Sequence, residues 1–135
     1  MIYKNRKHIK EMTAQIEEIV EKSAETITAD IYVGLREGYS ETRHDIEELK
    51  RFMQGYVDRV SLCVTVTPTT FVYKNGKEDG ARIGLINYPR FPATREKIEQ
   101  IAREIAAMCM KEYKQNRVSI VLPDRTIMLE DTKKS

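Results

Sequence analysis

At 135 residues the chain has room for one hydrophobic core and not for two. Its 23 basic and 21 acidic side chains nearly cancel to a net charge of +2, and no run of five or more cations occurs, which excludes the electrostatic footprint of a non-specific nucleic-acid binder. Its two cysteines, Cys63 and Cys109, lack CxxC or CxxxH spacing, which argues against a structural zinc site, and both are read as reduced core thiols.

In chain order, the first element is an amphipathic helix over 5–25. Ile9, Met12, Ile16, Ile19 and Val20 recur at three- and four-residue steps, with Lys and Glu between them. Four of these fit two heptads, too few to hold a coiled coil alone, so packing on its own domain or on a neighbouring subunit is expected. A strand follows over 28–37, with Ile31, Val33 and Leu35 on one face and Tyr32, Gly34 and Arg36 on the other. Gly38-Tyr39-Ser40 is a turn. Thr42 with Asp45 three residues on reads as a capping box, opening a helix that carries Ile46, Leu49, Met53, Tyr56, Val57 and Val60 on one side.

The stretch 61–88 is a long hairpin. Leu62, Val64 and Val66 alternate with Cys63, Thr65 and Thr67, and Pro68 signals a bulge or an edge strand because proline cannot donate to a ladder. Asn75-Gly76 and Asp79-Gly80 tolerate positive φ, so the reversal is expected between Lys74 and Ala81. The return strand places Ile83 and Leu85 opposite Arg82, Gly84, Ile86 and Tyr88. Two prolines stiffen the next connection, and Thr94 is the expected N-cap of a helix running to about Gln115. A strand over 117–122, a turn led by Pro123 and a short strand at Ile127-Met128-Leu129 complete the chain.

After the first helix the order is strand, helix, strand, strand, helix, strand. The expected fold is α+β: a ferredoxin-like βαββαβ antiparallel sheet with both helices on one face, plus an extra amino-terminal helix. The divisions are 1–27 for that helix, 28–130 for the ferredoxin-like domain and 131–135 for a flexible tail. No apolar stretch approaches the ~20 residues of a membrane span, and no apolar signal segment opens the sequence, so a cytoplasmic protein without membrane attachment is expected.

Cys63-Val64-Thr65-Val66-Thr67-Pro68, followed by Tyr73 and Gly76, resembles the second strand and hairpin of the CutA family and, more loosely, of PII-like signalling proteins. The resemblance implies a trimer whose ligands sit in clefts between subunits.

Motifs of nucleophile elbows, Walker loops, HExxH sites or dinucleotide-binding turns are absent from the sequence. His44, beside Arg43 and Asp45, is a candidate acid/base with Tyr39 as partner; the competing reading is a solvated first-turn histidine. Binding is the stronger expectation. Arg36, Arg82 and Arg90 should lie on or beside the sheet face without helices, near Tyr32, Tyr88 and Phe91, with Asn87 and Thr67 adding directional hydrogen bonds. Arginine forks match phosphate or carboxylate and aromatic rings stack on a base, so a nucleotide-like or other small anion, sensed or sequestered, or else a partner protein, is the expected ligand. The same residue types also build subunit interfaces, and a homo-oligomer is expected. RNA is disfavoured by the small net charge, and no cofactor or metal is called for.

Overall fold

The computed structural model describes residues 2–132, with the side chains of residues 2–8 and 16 left aside. The elements are α1 (Ile2–Glu17), β1 (Thr28–Gly34), α2 (Ile46–Val60), β2 (Thr65–Tyr73), β3 (Gly76–Ile86), α3 (Arg95–Glu112), β4 (Arg117–Val121) and β5 (Thr126–Glu130). They form one antiparallel sheet in the order β2-β3-β1-β4-β5. The ferredoxin-like arrangement is therefore present with a fifth strand at its far edge. The tail beyond Thr132 lies outside the described residues, and no described helix is long and apolar enough to cross a membrane.

Alternation builds the core. Ala29, Ile31 and Val33 of β1, Ala81, Ile83 and Leu85 of β3, and Val118 and Ile120 of β4 are buried on one face of the sheet. Leu49, Met53 and Tyr56 of α2 and Ile98, Ala102, Ile105, Ala106 and Cys109 of α3 cover them, each set following the 3.6-residue helical repeat. Phe52 of α2 meets Tyr113 at the end of α3 edge-on, 5.7 Å between ring centres. The helices thus seal one face and leave Tyr32, Thr65, Thr67, Arg82 and Ser119 on the other.

Local structure departs from the sequence reading in four places. The cap of α2 is Asp45, whose carboxylate accepts from the Glu48 N–H at 2.8 Å, not Thr42, because Asp45 is the last extended residue before the helix. The first strand ends at Gly34, short of the expected 37. The hairpin reverses at Lys74-Asn75, inside the expected window, where Asn75 takes φ 65 and Asp79-Gly80 continues the ladder opposite Thr69 and Thr70. Gly80 has a different use there, since a Cβ would strike the Phe71 ring and the Val33 carbonyl. Cys63 is exposed, whereas Cys109 is the core thiol, its pKa pushed up to about 12 by burial and then by Glu112. The first helix stops at Glu17, and residues 19–27 run on without regular structure. Elsewhere the expectations match: Thr94 caps α3 by accepting from Lys97 N–H at 3.1 Å, and Pro68 sits in β2, an edge strand.

Candidate functional site

The residues singled out from the sequence fall into three places. Thr67, Arg82, Tyr32 and Ser119 stand side by side across β2, β3, β1 and β4 on the sheet face without helices, and Met128 of β5 extends the row. Phe71 approaches Tyr32 edge-on at 6.4 Å, its ring accommodated over Gly80. This face carries threonine, arginine and aromatic side chains.

Asn87, Tyr88 and Arg90 lie elsewhere, around a groove of about 520 Å³ at the end of the sheet. Two stretches distant in sequence make it, 61–63 and 85–101. Ser61 takes a left-handed conformation at the end of α2, so that Leu62 and Cys63 lead into β2 as one wall. The end of β3 gives Leu85 and Ile86, the loop after it gives Tyr88 to Phe91, and α3 closes the floor with Ile98 and Ile101. The lining is mostly apolar, with Ser61, Cys63, Asn87, Tyr88 and Arg90 as its polar members. The volume falls within the ~300–1,000 Å³ of small-molecule sites.

The polar groups of the groove are fixed by their neighbours. Asn87 holds the groove's shape: its Nδ2 donates to the Glu25 carbonyl at 2.8 Å, and its Oδ1 accepts from Ala93 N–H at 2.8 Å. The Cys63 thiol donates to the Tyr88 hydroxyl at 3.4 Å. The hydrogen bond with Cys63, then burial, then the charge Cys63 can carry, raise the Tyr88 pKa and so favour the neutral phenol. The Arg90 guanidinium sits 5.2 Å from the centre of the Phe91 ring, which is 71% exposed.

The third place is the end of β1. Arg36 pairs as an isolated bridge with Arg43, its carbonyl accepts from Gln115 Nε2 at 2.6 Å, and its buried Nε lies 3.8 Å from Glu78 Oε2 without a hydrogen bond. His44 is close by and is not the solvated histidine of the competing sequence reading. Its side chain is 18% exposed, Nδ1 meets Glu48 at 2.7 Å, Nε2 meets Glu37 at 2.9 Å, and its ring stands edge-on to Tyr113. Tyr39, the partner named for it, is 85% exposed in the turn, and among the described residues no hydrogen bond joins the two.

Burial opposes the charge on His44, but the hydrogen bonds and charges of Glu48 and Glu37 outweigh it and hold its pKa above 6.5. A raised histidine pKa gives stability that is complete below the unfolded value and is lost as pH rises through the folded one. The stability difference between the protein and its His44→Gln variant is therefore expected to be largest at about pH 6 and to shrink by about pH 8, as read by urea unfolding. A difference that grows with pH would contradict this account of the cluster.

The groove was the part hardest to see in sequence. Leu62, Ile101 and Phe91 belong to it, yet the first two read as ordinary members of a strand and a helix stripe. The one available signal is that Ile101 lies beside, not on, the buried line Ile98, Ala102, Ile105, Cys109.

No family model matches the chain, and no curated protein does. Two solved structures match. A phage SAM lyase in complex with S-methyl-5′-thioadenosine shares 13% identity at a TM-score of 0.69, over 84% of this chain and 95% of that one. A phage SAM lyase in its apo state shares 14% at 0.71, over 85% and 98%. At such identities the likeness is one of fold. Neither match is a CutA or PII-like protein, so what remains of that resemblance is the ferredoxin-like element order.

Proposed function

We propose that the protein binds a small adenine-nucleoside ligand carrying an apolar or thioether substituent, in the groove between the end of β3 and α3. The observation that carries this reading is the lining itself, an aliphatic floor with two aromatic rings, a phenol donor and one arginine at the rim. A base stacks on Tyr88 or Phe91, the substituent enters the Leu62, Ile98 and Ile101 floor, and Arg90 with the Tyr88 hydroxyl reaches ribose or phosphate oxygens. The complex of a similarly folded phage SAM lyase with S-methyl-5′-thioadenosine supports this ligand class. One arginine beside an apolar floor favours a nucleoside, or at most a monophosphate, over a polyphosphate.

A homo-oligomer belongs to the same reading. On the face bearing Tyr32, Thr67, Arg82 and Met128 the last three are exposed among the described residues, and the face adjoins the groove through Thr65 and Cys63. A second copy on that face would bring Arg82 and Tyr32 beside the ligand, completing a cleft from two chains.

Isothermal titration with S-methyl-5′-thioadenosine and with AMP tests the binding. Saturable binding of the thioether is expected. Arg90→Ala should weaken AMP about tenfold, the loss of one charge-assisted hydrogen bond, and the neutral thioether less. Flat titrations with both compounds would remove the proposal.

A further inference from the structure

The amino-terminal helix has an unusual charge order. Residues 2–10 carry Lys4, Arg6, Lys7 and Lys10 and no acid, while residues 11–18 carry Glu11, Glu17 and Glu18 and no base. Its first turn has no acidic residue and its last turn no basic one. Each end thus repels the partial charge of the helix dipole it sits on, positive at the start and negative at the finish. A single helix of 16 residues is already marginal in water, and this charge order weakens it further. The helix also exposes apolar side chains: Ile9 is 57% and Met12 47% accessible, and Ile19 and Val20 just beyond its end are more open still.

We infer that α1 pairs antiparallel with α1 of a second copy of this chain. That pairing removes both defects at once. The basic half of each helix lies along the acidic half of the other, the two dipoles oppose, and Ile9 faces Met12 across a two-fold axis between residues 10 and 11. Facing helices are about 8–10 Å apart, within the ~10 Å Debye length at 0.1 M salt, so the opposed halves attract. A parallel pair would set cations on cations. An anionic lipid or nucleic-acid surface would attract the basic half and repel the acidic one, so a second copy is the better partner. Two heptads make a weak pair, so the contact adds to any other interface of the chain and is salt-sensitive.

Light-scattering mass of the full chain at about 50 mM and about 0.5 M salt tests this. At low salt the protein is expected to have twice the mass of its Ile9→Glu/Met12→Glu variant, and high salt should bring the two together. Two charge variants sharpen the test. Lys4→Glu/Arg6→Glu/Lys7→Glu/Lys10→Glu makes the helix acidic throughout, and Glu11→Lys/Glu17→Lys makes it basic. Each alone should fall to half the mass, and an equal mixture should regain it. The first of them should nevertheless gain helicity, because acids at a helix start suit the dipole; a merely structural role would link helicity and mass. Equal masses for the protein and the Ile9/Met12 variant at low salt, or full association of either charge variant alone, would overturn the pairing. Nucleoside titration of the same variants reads the groove separately, so either idea can fail without the other.

Discussion

Replacing Ile31 by alanine is expected to lower the unfolding free energy by about 3 kcal/mol, the range measured for truncating a fully buried aliphatic side chain. Ile31 is in the middle strand of the sheet, with Ile83 directly opposite on β3 and Ile120 opposite on β4, and all three are fully buried beneath the helices. The ladder fixes these strands on both sides of β1, so the backbone cannot collapse into the space left by the lost atoms, and a cavity remains. Urea unfolding should show a lower midpoint at unchanged slope. Tyr32, the next residue, points to the other face, and Tyr32→Ala should cost far less in a single chain. If the two substitutions destabilised the protein equally, helices would not be covering one face only.

Ile101→Glu is expected to cut affinity for S-methyl-5′-thioadenosine at least about 100-fold, or ~2.7 kcal/mol, while lowering stability by only about 1 kcal/mol. The difference between the two effects comes from water. Ile101 is half-buried in the floor of the groove, and with the groove empty a carboxylate there is hydrated from the open side. A bound nucleoside would displace that water and leave the charge against aliphatic carbon without a partner. Titration beside urea unfolding separates these outcomes. Unaltered affinity in Ile101→Glu would place the ligand outside the groove, whatever happened to stability. Arg90→Ala is the milder complement, since it touches the rim and leaves the floor intact.

The His44 cluster has a structural part that bears on its catalytic candidacy. Both ring nitrogens are taken by carboxylates, Glu37 also lies 3.9 Å from Lys114 Nζ, and the Tyr113 ring closes one side. The arrangement ties the segment after β1 to the start of α2 and to the end of α3. It is organised as a cross-link among three elements, and its pH dependence is expected to appear in stability.

Much of the fold was legible in the chain because its signals are local. Period-two runs such as Ile31, Val33 and Leu35, helical stripes such as Leu49, Met53 and Tyr56, and the Thr94 cap each depend on neighbours within a few residues, and the structure uses them as read. Where two local signals competed, the long-range ladder decided. Both Asn75-Gly76 and Asp79-Gly80 can turn a chain, and the pairing of β2 with β3 through Thr69 opposite Gly80 selected the first. The final short strand gained its place by pairing with β4.

The sequence by itself determined which face of each strand and helix is apolar, and hence the α+β layer and the charge order of the first helix, because these are properties of successive residues. Only the tertiary structure decided that Asn87, Tyr88 and Arg90 belong to a groove while Tyr32, Thr67 and Arg82 belong to a sheet face, and that His44 sits between Glu37 and Glu48. Those groupings bring together atoms from segments tens of residues apart, and their distances follow from strand register and helix packing, which no short stretch of chain encodes.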